Sequence, residues 1–225
     1  MFDRVEKLIG IEKLDLIKTK TVLLIGLGGV GGSAFETLVR SGVQNIIIID
    51  FDNVDISNLN RQVLYNLDSI GKKKVDVAEN FCKSINKDCC VKKYDIFLNE
   101  ENIKTLFDDN DIDYVIDACD SLNTKKSIIL ECLKRKVKFI SSMGTANKLD
   151  PSKLIITDIR KTKSDPIAKI LRKWVKDMKI NDKIMVVSTE EVPIKKGKVL
   201  STMSFVPNTA GILAANYVIR DIIKI

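Results

Sequence analysis

Short apolar runs rich in β-branched residues alternate along the chain with longer stretches in which apolar positions recur every three or four residues. The short runs predict strands over Thr21–Ile25, Asn45–Asp50, Cys90–Asp95, Tyr114–Ala118, Lys138–Ser142, Leu154–Ile159 and Lys183–Ser188. The longer stretches predict helices over Gly31–Ser41, Gly71–Ile85, Glu101–Phe107, Thr124–Lys136, Asp165–Met178 and Thr209–Ile222. The runs at 22–25 and 46–49 are apolar without alternation, as in strands covered on both faces. Strand and helix in turn imply a doubly wound α/β fold, a mostly parallel sheet with helices on both faces, extended by a C-terminal mixed α/β portion. No linker, repeat or low-complexity tract divides the 225 residues, so a single domain is expected. The one long stretch without a pattern is Thr189–Ser204, read as a surface loop or crossover with a basic turn at Lys195-Lys196-Gly197-Lys198.

Composition removes several chemistries. The chain has no histidine, which excludes Ser-His-Asp and Cys-His nucleophile pairs, an imidazole base, and His-ligated zinc or haem. Its five cysteines, Cys82, Cys89, Cys90, Cys119 and Cys132, are odd in number and contain no CxxC pair. That suits neither a disulfide framework nor a zinc site, and predicts reduced thiols used as small core hydrophobes in a cytoplasmic protein. Neither a signal-peptide core nor an apolar run long enough to span a membrane is visible.

Charge sharpens the picture. The net +7 hides 17 basic against 21 acidic residues over 1–130, a net of −4, and 18 against 8 over 131–200, a net of +10. The basic segment, with Lys161, Lys163, Lys169, Arg172 and Lys173, reads either as ordinary solvated helix faces or as a surface for a polyanion such as RNA.

Three motifs carry chemistry. Gly26-x-Gly28-x-x-Gly31 follows a strand and opens a helix, the Rossmann-like arrangement in which glycines admit a tight turn and backbone N–H groups approach phosphate. Asp50, at the end of the next strand, is placed for ribose hydroxyls. The polar run from Asp50 to Gln62, followed by Lys74, favours a triphosphate over NAD, because extra phosphate charge calls for point charges and a guanidinium. Asn58 and Asn60 are equally readable as turn residues. Asp117 and Asp120, where the fourth strand ends, are carboxylates that could hold Mg²⁺ on phosphate oxygens, or simply cap a helix.

Taken together, Gly26 to Gly31, Asp50-Phe51-Asp52, Ser57 to Gln62, Lys74, and Asp117 with Asp120 resemble the ubiquitin-activating-enzyme-like superfamily of ThiF/MoeB/HesA adenylyltransferases. Arg4 within 2–10, residues 142–151, 158–162, Asp165-Pro166, 204–207 and Gly211 narrow the likeness to its TcdA branch, the tRNA threonylcarbamoyladenosine dehydratases. The resemblance implies a homodimer that binds ATP with Mg²⁺ and no zinc, acts on tRNA bearing threonylcarbamoyladenosine, and has sulfur-relay proteins as further partners. Residues 1–130 would be the ATP-binding half, and 131–225 the half for substrate binding and dimerisation. Gly26, Gly28, Gly29 and Gly31 would form the phosphate turn and Asp50 would hold the ribose. Asn58 and Arg61 would contact the polyphosphate, with Lys74 beside the α-phosphate and Asp120 on the metal. Asp52, Ser57, Asn60 and Ser121 complete the implied nucleotide site, and Arg4 would reach into the partner's. Two departures stand out: relatives carry a longer loop where this chain has Pro193–Leu200, and a more glycine-rich turn where it has Thr145-Ala146. The competing readings are activation of the C-terminal glycine of a ubiquitin-like or sulfur-carrier protein, and a non-catalytic nucleotide-binding or NAD-dependent module.

Overall fold

A computed structural model describes residues 1–194 and 200–225. Helices α1 (Asp3–Ile9) and α2 (Ile11–Thr19) lead into β1 (Thr21–Ile25), α3 (Gly29–Arg40), β2 (Asn45–Ile49), α4 (Lys74–Ile85) and β3 (Cys90–Tyr94). Next come α5 (Ile103–Asp108), β4 (Tyr114–Asp117), α6 (Leu122–Arg135) and β5 (Lys138–Ser142). The remainder is β6 (Leu154–Asp158), α7 (Pro166–Asp177), β7 (Met185–Thr189) and α8 (Phe205–Ile222).

The strands form one sheet in the order β3-β2-β1-β4-β5-β7-β6, parallel throughout except where β6 runs antiparallel to β7. The doubly wound α/β sheet and its mixed C-terminal extension are therefore as expected. The unalternating runs have the anticipated cause. Val22, Leu24, Ile46 and Ile48 pack into one core with α3, α4 and α8, while Leu23, Ile25, Ile47 and Ile49 pack into another with α5, α6 and α7. The chain leaves β1 toward β2 on one side, and β4 lies on the other, so the sheet's reversal point falls between β1 and β4. A crevice opens at the carboxyl ends of strands at such a point.

Local differences from expectation have identifiable reasons. α3 starts at Gly29 rather than Gly31, because Gly26 takes φ +88° and completes the turn early. α8 starts at Phe205 rather than Thr209 and absorbs Pro207 in its first turn, where a missing N–H leaves no helical bond unmade. α4 begins at Lys74 rather than Gly71, and β7 is shifted to Met185–Thr189. α1 and α2 have no counterpart in the pattern: α2 buries only Leu14 and Ile17, and α1 buries nothing. Asp165 accepts from the Ala168 N–H at 2.9 Å, with Pro166 as the first helical residue, so α7 begins within a residue of its expected place. The basic turn at 195–198 lies outside the described residues.

All five cysteines are free thiols: Cys82, Cys89 and Cys132 are buried, Cys119 is partly buried and Cys90 is exposed on the edge strand β3. Among the described residues no helix is long and apolar enough to cross a membrane.

Candidate active site

The crevice at the β1/β4 reversal point opens into a cleft of about 930 Å³. Its first wall is the glycine turn. Gly26 donates to the Ile49 carbonyl at 2.8 Å, and a Cβ on Gly26 would sit 2.8 Å from the Ala118 carbonyl oxygen. A Cβ on Gly31 would lie 1.8 Å from the Gly26 carbonyl oxygen, so only glycine lets α3 close onto the turn. Gly26, Gly28 and Gly29 line the cleft, whereas Gly31 acts through packing. The N-terminus of α3 carries no side-chain cap and no acidic residue in its first turn. Its free N–H groups and positive dipole end thus face the cleft, an arrangement that attracts phosphate.

Asp50 ties this turn to the next loop. Its Oδ2 accepts from the Leu27 N–H at 2.6 Å and its Oδ1 from the Asp52 N–H at 2.9 Å. Burial pushes its carboxyl above the ordinary carboxylate range, against the pull of the Lys74 ammonium and the two N–H donors. Tyr65 reinforces the turn by donating to the Leu27 carbonyl at 2.9 Å. Burial, with Asp50 and Asp52 nearby, pushes that phenol further up and keeps it protonated as a donor.

The cations are placed by separate elements. Lys74 is the first residue of α4, buried, and paired with Asp52 at 2.7 Å. A cation at a helix N-terminus opposes the dipole, so its placement there is a cost that the Asp52 carboxylate offsets in the free chain. Asp52 therefore serves first as the partner of Lys74. Arg61 lies after the 3₁₀ turn at Ile56–Asn58, where its Nη1 donates to the Ser57 carbonyl at 2.7 Å and to Asn60 Oδ1 at 2.9 Å. Asn58 is a capping residue here: its Oδ1 accepts from the Asp55 N–H while Asp55 accepts from the Ser57 N–H. Ser57, Asn58, Asn60, Arg61 and Lys74 all line the cleft.

Asp117 and Asp120 separate into two roles. Asp117 is fully buried and does not line the cleft. Its Oδ1 accepts from the Cys119 N–H and thiol, and its Oδ2 accepts from Ser141 Oγ and, at 3.0 Å, from Lys125 Nζ. A carboxylate so occupied is no metal ligand, which corrects that part of the expectation. Burial alone would push the Lys125 ammonium down, yet the adjacent Asp117 carboxylate outweighs it and holds Lys125 above the usual lysine value. Asp120 is exposed to the cleft, and Ser121 beside it caps α6 by accepting from the Thr124 N–H at 3.3 Å. Cys119 also lines the cleft, but burial and the neighbouring Asp117 push its thiol up, which suppresses the thiolate a nucleophile needs.

Two features escaped the motif reading, and a third extends the turn at Thr145-Ala146 noted there. Phe51 and Phe97, both half exposed, meet edge to face with centroids 5.1 Å apart and, with Ile96 and Leu98, give the cleft an apolar flank suited to a base. Gln62, quoted in the motif without a role, lies 5% exposed on the wall with Oε1 unpartnered. The far wall, Thr145, Ala146, Leu200, Ser201 and Thr202, comes from the second half of the chain. Arg4 is the one residue not brought near. It is exposed on α1, and Phe2 packs beside Gly42 in the loop between α3 and β2, at the amino-terminal end of the strands, opposite the carboxyl ends that carry the cleft.

A family model described as the ThiF family matches residues 2–224. The chain belongs to the ThiF family. It is 40% identical over 241 aligned residues to the tRNA threonylcarbamoyladenosine dehydratase of Bacillus subtilis, covering 99% of this chain and 94% of that protein. Among solved structures it is similar to the Escherichia coli tRNA N6-threonylcarbamoyladenosine dehydratase in complex with ATP. There the TM-score is 0.93 at 30% identity, over 99% of this chain and 93% of the other. The same enzyme in complex with AMP gives a TM-score of 0.92 at 29% identity, over 98% of this chain and 93% of the other.

Proposed function

We propose that this ThiF-family chain is an ATP-dependent dehydratase that adenylates the carboxylate of threonylcarbamoyladenosine in tRNA and cyclises it, releasing pyrophosphate and AMP. The observation that carries the reading is the meeting of the glycine turn, Arg61, Lys74 and Asp120 in one cleft of a chain matched from end to end by such dehydratases.

The chemistry suits the residues present. The substrate carboxylate is ionised at neutral pH, so its oxygen attacks the α-phosphorus without a general base. The α–β phosphoanhydride bond breaks, pyrophosphate leaves, and an acyl-adenylate forms. A nucleophile within the same side chain then attacks the activated carbonyl, expelling AMP and closing a ring. The enzyme has charge to neutralise and groups to align. The α3 N-terminus and Arg61 hold the β- and γ-phosphates, and Lys74 leaves Asp52 to meet the α-phosphate. Asp50 accepts from ribose hydroxyls through its remaining lone pairs, and Phe51 with Phe97 flank the base.

Mg²⁺ fits this site through Asp120. That carboxylate makes no hydrogen bond or ion pair among the described residues, and Mg²⁺ favours one or two carboxylates with phosphate oxygens and water. Bound there, the ion supplies charge neutralisation on the phosphate oxygens. Zinc is not part of the reading.

The remaining assignments follow as one picture. Residues 1–130 form the ATP-binding half, and 131–225 the half for substrate binding and dimerisation. The chain acts in the cytoplasm as a homodimer, in which Arg4, too far from its own cleft, serves the partner's. Lys169 and Lys173 on the exposed side of α7 face tRNA phosphates. Arg172 leaves that surface, because its Nη1 donates to the Thr162 carbonyl and hydroxyl. Sulfur-relay proteins are candidate partners in the cell. Pyrophosphate release from Mg²⁺-ATP should require tRNA bearing threonylcarbamoyladenosine. Release with a Gly-Gly-tailed carrier protein, and none with that tRNA, would replace this reading by the carrier one.

A further inference from the structure

The far wall of the cleft has a composition unlike the rest. Among the described residues, Thr145, Ala146, Leu200, Ser201 and Thr202 carry no charge, while the charged groups lining the cleft, Asp50, Asp52, Arg61, Lys74 and Asp120, lie on the nucleotide side. Such a wall offers no point charge to a polyphosphate. Its hydroxyl and backbone groups suit a polar acceptor whose single carboxylate is consumed in the reaction.

This wall is irregular backbone, and it is held from behind by buried charge. Lys148 Nζ donates to Asp165 Oδ2 at 2.7 Å and to the Gly144 carbonyl, and neither side chain is more than 1% exposed. The pair thus pins both ends of the turn that presents Thr145 and Ala146. Asn147, in the left-handed region at φ +60°, binds the second strip of the wall. Its N–H donates to the Ser201 carbonyl at 2.7 Å and its Oδ1 accepts from the Ser201 N–H at 3.0 Å. Glu191, itself buried, accepts from the Leu149 and Asp150 N–H groups at 2.9–3.2 Å. The wall then connects to the phosphate side, since Asn60 Nδ2 donates to the Thr202 carbonyl at 2.9 Å while Asn60 Oδ1 accepts from Arg61.

An ion pair this deep is weak evidence of stabilisation, because well-packed apolar groups serve a core as well or better. What it supplies is geometry: a fixed ammonium orients a particular carbonyl and a particular carboxylate, which an apolar pair cannot do. We infer that Lys148, with Asp165, and Asn147 are positioning residues for the acceptor substrate, setting the wall against which the threonylcarbamoyl group is held while ATP binding proceeds without them. The inference rests on the dehydratase reading above.

The test compares wild type with two variants by nucleotide affinity and by steady-state kinetics on threonylcarbamoyladenosine-bearing tRNA. The Lys148→Met/Asp165→Asn double variant removes both charges, leaves no unpaired ion, and keeps an oxygen to cap α7. Asn147→Gly keeps the left-handed backbone and removes the side-chain bonds, that to the Ser201 N–H among them. Both should bind ATP within about twofold of wild type, while kcat/KM for the tRNA falls roughly tenfold or more. Lys148→Arg, which retains donors and charge, should recover part of that loss. ATP affinity falling in step with the tRNA parameter, or tRNA kinetics unchanged in a folded variant, overturns the inference. Should the double variant fail to fold, Asn147→Gly decides by the same criterion. Wild type inactive on this tRNA would instead strike at the dehydratase reading, a separate outcome visible in the control.

Discussion

The two walls of the cleft do related work by opposite means. On the nucleotide side the backbone itself is the device: Gly26 and Gly31 admit a turn that no side chain could enter, and the open end of α3 points its N–H groups outward. Charged side chains there aim into the cleft. On the acceptor side the described lining groups are neutral, and the charged residues Lys148, Asp165 and Glu191 lie behind them and hold irregular backbone in place. A wall that must neutralise phosphate displays its charges. The other wall hides its charges and uses them to fix its backbone.

The largest test of this contrast concerns the other deep pair, Lys125 with Asp117, which lies beneath the nucleotide side. Lys125→Met leaves the Asp117 carboxylate buried and unpaired, at a cost of about 3–5 kcal/mol in stability. Thermal unfolding should show it. In variant protein that remains folded, Mg²⁺-ATP affinity should drop, because Asp117 holds the Cys119 N–H and so the approach to Asp120, while tRNA affinity stays as it was. If Lys125→Met and the Lys148/Asp165 variant shift the same substrate's parameters, the division between the walls is wrong.

Next in size is Lys74→Ala. If Lys74 meets the reacting phosphate as proposed, its removal should lower kcat by roughly 10²–10³-fold with tRNA affinity unchanged, read by single-turnover AMP formation. A smaller, geometric test concerns Arg4. In the proposed homodimer, mixtures of Arg4→Ala and Lys74→Ala chains should regain activity that neither has alone, because a mixed dimer would contain one site with both groups intact. Mixtures as inactive as their parents would remove Arg4 from the partner's site.

The smallest effect is expected away from both walls, at the amino-terminal ends of β4 and β5. Asp221 in α8 accepts from Tyr114 Oη and from Lys138 Nζ, each at 2.6 Å. Burial pushes its carboxyl up, but the Lys138 ammonium and the Tyr114 hydroxyl outweigh that and hold it below the ordinary value of 3.8. A depressed carboxyl contributes stability above its unfolded pKa and loses it as pH falls through the folded one. Asp221→Asn should therefore cost at most about 1 kcal/mol at neutral pH. The difference from wild type should fade below the ordinary carboxylate range, in melting curves taken across pH, with kinetics on both substrates unaltered.

The same contrast explains what could be read from the chain beforehand. The nucleotide side is encoded locally: a strand, three glycines at fixed spacing, an acid at the next strand end and a cation opening the next helix. Spacing of that kind survives without coordinates. Asp117 shows where it stops, since only burial and the Lys125 contact reveal that this carboxylate fixes its turn rather than binding metal. Arg172 teaches the same lesson, since Thr162, ten residues away, takes its guanidinium from the surface. The acceptor wall depends on partners 17 to 54 residues apart, Lys148 with Asp165, Leu149 with Glu191 and Asn147 with Ser201, and no local pattern announces them. α1 escaped for a different reason: it is short and half-buries only Val5 and Ile9, too few apolar positions to set a period.

The account is tested most directly by the nucleosides of the substrate tRNA. After incubation of the purified protein with Mg²⁺-ATP and tRNA bearing threonylcarbamoyladenosine, digestion and mass analysis should show that nucleoside lighter by one water, with one AMP formed per converted residue. Unchanged threonylcarbamoyladenosine, in a preparation that binds both ATP and the tRNA, would contradict it.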